Sequence, residues 1–231
     1  SRATPLGLVT ASLAALIAMV FDCADGQLAR ARGGGSTAGR ILDGLADYMV
    51  AFAVHLGALF CLYRGNFYIG HHLLTHPEIF AILLAAGTSM AVQCALYDFY
   101  KHRYLGYLGR DYRRTLETPG ALRDEIERAT SAFDRGLLSI LHFYVWAQER
   151  IMPRKNVEEA TRHVAPDAAE RYLRTQEPLL RAWSMLGPSG HHVLIALAGV
   201  LTIFRADFFI LYAVFTLTVQ NAYAIVLLVV Q

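Results

Sequence analysis

Charge is what this sequence has least of. Asp, Glu, Lys and Arg make up 17% of its 231 residues, against about 25% in soluble domains, while 55% are hydrophobic and the mean hydropathy is +0.35. The shortage is local. Pro5 to Phe21, Ile79 to Tyr97, Leu186 to Phe204 and Phe208 to Val230 carry no charged residue, and Ile41 to Tyr63 carries only Asp43 and Asp47. Such bunching excludes an ordinary soluble domain. A helix needs roughly 20 mostly apolar residues to cross a bilayer, and four of the five stretches approach or exceed that length. The first reaches it if its helix runs on through Ala29. Cysteine is also scarce. Cys23, Cys61 and Cys94 are odd in number and lie in apolar runs, which excludes a disulfide framework and leaves them as small core residues. There is no internal repeat, and Gly33-Gly34-Gly35 is the only low-complexity tract. A cleavable signal is not expected, because aspartates rather than a small-residue cleavage site follow the first apolar stretch.

These patterns predict an all-α fold, a polytopic transmembrane helical bundle with a cytoplasmic helical insertion. Its spans are 6–30, 39–63, 77–100, 187–204 and 208–230, and an outer loop covers 64–76. Pro77, Pro119-Gly120, Pro153 and Gly187-Pro188 mark boundaries. Three regions follow: membrane helices 1–100, a polar insertion 101–186 and C-terminal membrane helices 187–231. Residues 101–185 hold 15 of the 21 Lys+Arg and 12 of the 19 Asp+Glu, whereas the opposite loops offer only Arg64 and Arg205 as basic residues. The positive-inside rule therefore puts the insertion and the Arg30–Arg40 loop in the cytoplasm, where basic residues can rest on anionic headgroups. Within the insertion, Gly136 to Ala147 is an uncharged run of twelve. It is too short to span, and suits a helix in the interface or packed under its neighbours.

Four aspartates stand where charge is most expensive. On a helix Asp22, Asp25, Gly26, Ala29 and Arg30 fall at offsets 0, 3, 4, 7 and 8, and Gly39, Asp43 and Asp47 at 0, 4 and 8, each set on one face. The eight residues Ala31 to Ala38 allow a compact turn that brings the two faces together. Dense carboxylate oxygens suit hard divalent cations, and two such ions would balance four negative charges. Two metals about 3.5–4 Å apart can clamp a phosphoryl group during in-line displacement. Gly26 and Gly39 allow a ligand close to the backbone, Ala29 keeps the stripe shallow, and Arg30 offers a fork for phosphate oxygens. Neutralisation by arginine alone falls short, since Arg30, Arg32 and Arg40 are one fewer than the acids.

Asp22-x-x-Asp25-Gly26-x-x-Ala29-Arg30, eight residues, then Gly39-x-x-x-Asp43-x-x-x-Asp47 resembles the signature of the CDP-alcohol phosphotransferases at all eight positions, over 26 residues. The resemblance implies that a CDP-linked alcohol gives its phosphoryl-alcohol portion to a second alcohol and releases CMP. By position it implies Asp22, Asp25, Asp43 and Asp47 as ligands of two magnesium ions, with manganese as the alternative. Asp22, Asp25, Gly26, Ala29, Arg30 and Gly39 would form the nucleotide site, and Asp47 would be the general base. It also implies a homodimer, for which Gly57-Ala58 and Ala85-Ala86-Gly87 would permit close helix packing. Family members commonly have six spans, one of them ahead of the motif helix. Here the motif begins 21 residues from Ser1, which implies a partial chain or a reduced architecture.

The expected partners are a CDP-linked lipid or alcohol donor, a polar or lipid alcohol acceptor and membrane lipids, with no nucleic acid. CDP-diacylglycerol is the expected donor. The alternatives are transfer of a CDP-linked headgroup to a lipid alcohol such as diacylglycerol, a membrane prenyltransferase, and a carboxylate-lined cation pathway. Neither of the last two explains the glycines or Arg30. Candidate acceptor-binding residues are Arg110, Arg113, Arg114, Arg181, His191 and His192, which can equally snorkel or face headgroups. The loop histidines His71, His72 and His76 read as an ordinary loop, and Gln220 and Asn221 as polar contacts between helices.

Overall fold

The structure is a computed structural model that describes residues 5–31, 49–50, 52–60, 62–69, 71–108, 119–151, 165–202, 204–205 and 207–231. Among them, the helices are α1 (Pro5–Ala31), α2 (residues 52–60), α3 (His76–Leu108), α4 (Pro119–Arg128), α5 (Ala132–Ile151), α6 (Pro166–Ser184), α7 (Pro188–Leu201), α8 (Phe208–Phe215) and α9 (Asn221–Val230). A π-helical turn, Thr216–Gln220, joins α8 to α9. Two short antiparallel strands, β1 (Tyr68–Ile69) and β2 (His72–Leu73), pair Tyr68 with Leu73 and Ile69 with His72. The all-α fold class is that expected from the sequence.

Proline and capping chemistry set the helix starts. Pro119, Pro166 and Pro188 open α4, α6 and α7, and Pro77 is the second residue of α3, positions where a missing N–H breaks no intrahelical bond. Ahead of α3, the Thr75 backbone N–H and hydroxyl both donate to Glu78 Oε2, at 2.7 and 2.8 Å. This Thr-x-x-Glu arrangement satisfies a donor the helix leaves free. At the start of α7 a Cβ on Gly190 would collide with the Met185 carbonyl, so only glycine lets the 184–187 turn fold back so closely.

The described residues gather into two compact units, residues 5–31, 49–94 and 183–231 in one and 95–182 in the other. In the first, α1 packs on α7 and α7 on α8. Ile79, Leu83, Ala86, Met90 and Cys94 make a buried stripe along α3, joined by Ala58, Leu62, Ile195, Ala198, Phe209, Ile210 and Ala213. The outward faces are no less apolar: Phe52, Phe60, Phe80, Leu84, Ile225 and Val229 are exposed. Water would penalise such surfaces, whereas hydrocarbon accepts them once the backbone is satisfied by helical hydrogen bonds. Three helical stretches among the described residues are long and apolar enough to cross a bilayer: His76–Leu108, Asp167–Leu201 and Phe208–Val230. The apolar part of α1, Val9–Phe21, is shorter, but the helix continues to Ala31. The second expected span, 39–63, is described only from residue 49.

Two elements differ from the sequence expectation. The helix expected at 77–100 runs on to Leu108, into the polar region. There, in the second unit, Tyr107 stacks on Tyr172 of α6 with ring centroids 4.0 Å apart, and Arg103 lies 5.6 Å from the same Tyr172 ring. The last span is not one uniform α-helix. Its π turn brings the consecutive residues Gln220 and Asn221 both against protein, positions an α-helix would separate by about 100°.

Candidate active site

Helix α1 positions the first half of the aspartate motif. Its backbone is helical without a break from Pro5 to Ala31. At about 100° per residue, Asp22, Asp25, Gly26, Ala29 and Arg30 then share an arc of roughly 140° over the last turns of that helix. The side chains of these five residues, the loop from residue 32, and Gly39, Asp43 and Asp47 lie outside the described residues, as do Arg110, Arg113 and Arg114. Among the described residues no group of three His, Cys, Asp or Glu could hold a metal. Aspartate positions one helical turn apart on an unbroken helix fit hard divalent cations.

Toward its other end, the same helix lines a hollow. Ala11, Ser12, Ala15 and Ala18 of α1, Ala53 and Gly57 of α2, and Ile195 and Ala196 of α7 border a space of about 370 Å3. Small side chains leave this room, and it is overwhelmingly apolar. Asp22 follows Ala18 by one turn, so α1 leads from an apolar hollow to an acid-rich end. A ligand with a hydrocarbon part and an ionic part would find both on one helix.

The candidate acceptor residues are not alike. His191 is wholly buried in the first unit, and neither ring nitrogen has a hydrogen-bond partner among the described residues. His192, next to it, is only half-buried. Arg181 belongs to the second unit, is exposed, and donates to Glu177 Oε1 at 2.6 Å, an i,i+4 surface pair. The sequence offered His191 and His192 as equivalents, and only burial separates them. In the loop before α3, His72 Nε2 lies 3.0 Å from Glu78 Oε1, while His76 Nε2 lies 3.0 Å from the Tyr63 carbonyl oxygen.

Asn221 makes the polar contact between helices expected of it, but its partners, Ser89 and Gln93, went unnamed in the sequence because they lie far away in the chain. Ser89 Oγ and Gln93 Nε2 of α3 both donate to Asn221 Oδ1, at 2.6 and 2.7 Å, and Asn221 Nδ2 donates to the Leu217 carbonyl at 3.1 Å. Gln93 is 1% exposed and Gln220 5%. Both amide oxygens, Gln93 Oε1 and Gln220 Oε1, are buried without a hydrogen-bond partner among the described residues.

The fold and this half-motif define a class: a helical membrane protein, with three helical stretches among the described residues long and apolar enough to cross a bilayer and two aspartate positions one turn apart near the end of α1. The model of the CDP-alcohol phosphatidyltransferase family matches residues 4–107, from the start of α1 almost to the end of α3, so this stretch is similar to a domain of that family. Neither a curated protein nor a solved structure matches the chain. The family transfers phospho-alcohol groups from CDP-linked donors to alcohols and is generally dependent on divalent metal.

Proposed function

We propose that this protein transfers a phosphatidyl group from CDP-diacylglycerol to the hydroxyl of a polar alcohol and releases CMP. The observation that carries the reading is the continuity of α1, which puts Asp22, Asp25, Gly26, Ala29 and Arg30 on one arc directly after an alanine-lined hollow. A lipid-linked nucleotide needs that sequence of surroundings, with hydrocarbon for its tails and carboxylates with an arginine for its pyrophosphate. The site is assigned to the cytoplasmic face, where the nucleotide is dissolved.

Asp22, Asp25, Asp43 and Asp47 would hold two magnesium ions, which supply Lewis-acid polarisation of the pyrophosphate. Gly26 and Gly39 leave room for the nucleotide against the backbone, and Arg30 pairs with phosphate oxygens. Asp47 accepts the proton of the acceptor hydroxyl. The acceptor oxygen bonds to the lipid-side phosphorus, the bond from that phosphorus to the bridging oxygen breaks, and CMP leaves with that oxygen. His191 and His192 contact the acceptor, and two copies of the chain form the working dimer.

CMP release from purified protein in lipid nanodiscs tests the assignment, with CDP-diacylglycerol, magnesium and one acceptor alcohol at a time. CMP is expected with one acceptor, and Asp47→Asn is expected to lower the rate by about 10²–10⁴-fold, the usual loss for a general base. CMP from a CDP-linked headgroup and diacylglycerol instead would reverse donor and acceptor. No release and no binding of CDP ligands would refute the reading.

A further inference from the structure

Helix α5 carries more apolar surface than its fold uses. Ser131 opens the helix, its Oγ accepting from the Phe133 N–H at 3.2 Å, and α4 packs against one side. Leu122 of α4 and Leu137 and Val145 of α5 are all at most 5% exposed. On the other side Phe133, Ile140, Phe143 and Trp146 are 66, 49, 65 and 43% exposed. With 100° per residue, these four fall within an arc of about 140°.

That arc has a charge of one sign. Arg150 lies inside it, its guanidinium 5.1 Å from the Trp146 ring centroid, and Arg135 borders it. The carboxylate positions of α5, Asp134 and Glu149, fall on the opposite half of the helix. Beside the arc, Gly120 and Arg123 of α4 with His142, Phe143 and Trp146 line a groove of about 450 Å3, without a carboxylate among these described residues. Phe143 and Trp146 stack with centroids 5.9 Å apart.

We propose that the Phe133–Ile140–Phe143–Trp146 face of α5 is a membrane-docking surface, its aromatic and aliphatic side chains entering the acyl boundary of an anionic leaflet while Arg123, Arg135 and Arg150 meet headgroup phosphates. An amphipathic helix with Trp and Phe on one side and arginines at its margins is suited to that boundary. The occupant follows from the chain itself. α3 enters this polar segment directly from a spanning stretch, and α6 leads out of it into another, so a bilayer is always within reach. A soluble protein partner would have to be recruited. The absence of acid on the arc selects an anionic surface over a neutral one.

Nitroxide labels on Phe143→Cys and, separately, Ile140→Cys in the full chain test this, with Asp124→Cys as reference and labelled parent protein as background for Cys23, Cys61 and Cys94. Collision rates with oxygen and with an aqueous nickel chelate are compared in nanodiscs of phosphatidylcholine alone and with added phosphatidylglycerol. Labels at 143 and 140 should favour oxygen, most strongly with phosphatidylglycerol, while the label at 124 favours the chelate. Removing Arg135 and Arg150 together should lower the inserted-to-free ratio by roughly 25-fold, about fivefold for each charge. The proposal is overturned if both labels meet the chelate as freely as position 124. It is equally overturned if they are shielded from both probes, which would mean a second copy or another protein covers the face, or if insertion ignores lipid charge.

Discussion

His191 is buried with neither ring nitrogen hydrogen-bonded among the described residues. A buried imidazole with both nitrogens unpartnered forgoes about 1–3 kcal/mol relative to a satisfied one, and Leu has nearly the same volume. His191→Leu should therefore leave the melting temperature in detergent unchanged or raise it by a few degrees. If the ring meets the acceptor, the same variant raises the acceptor KM while KM for the CDP-linked donor stays put. A role in packing alone would lower the melting temperature and move neither constant. His192→Leu, at a half-buried position, separates the two neighbours by the same measurement. Loss of acceptor affinity there but not at position 191 would reverse their assignment.

At the scale of elements, the last span is tied to α3 by a polar contact rather than by apolar packing alone. Ser89 and Gln93 both reach Asn221 because the π turn carries that residue inward. Polar contacts between membrane helices average about 0.6 kcal/mol and reach about 1.7. A double-mutant cycle of Gln93→Ala and Asn221→Ala should give a coupling energy in that range by unfolding in mixed micelles, and near zero for Gln93→Ala with Thr218→Ala. Deleting one residue of the turn should convert it to α-helix and remove the coupling, because Asn221 would rotate by about 100°. Persistence of the coupling in the deletion variant would show that the turn does not set the contact.

For the whole molecule, the proposed ligation of metal by Asp22, Asp25, Asp43 and Asp47 would make stability a function of bound cation. Unbalanced carboxylates at the end of α1 repel one another, and a ligand that binds only the folded state adds about 2.7 kcal/mol at a hundred times its dissociation constant. Chelation should lower the melting temperature by several degrees in a chain of this length, and magnesium or manganese should restore it. Asp43→Asn should reduce the size of that response, whereas Asp98→Asn, far from the motif in sequence, should not. A melting temperature indifferent to chelator would refute metal ligation by the aspartates.

The amino-acid sequence by itself determined the solvent, three of the spans and the spacing of the motif. Uncharged runs such as Phe208 to Val230 can be read locally, because the cost of charge in hydrocarbon is a property of each residue. Prolines 77, 119 and 188 marked helix starts for an equally local reason. The spacing from Asp22 to Arg30 placed five residues on one helical face before any fold was known, and the unbroken backbone of α1 carries them so. Tertiary structure alone decided the rest. α3 continues to Leu108, past the expected end at residue 100 and into the polar insertion, with Tyr107 stacked on Tyr172, 65 positions on. Likewise, which of two adjacent histidines is buried, and that Asn221 meets Ser89 and Gln93, depend on partners more than a hundred residues distant or on other helices. Hydropathy and helical period describe one segment at a time, and such contacts exist only once segments pack.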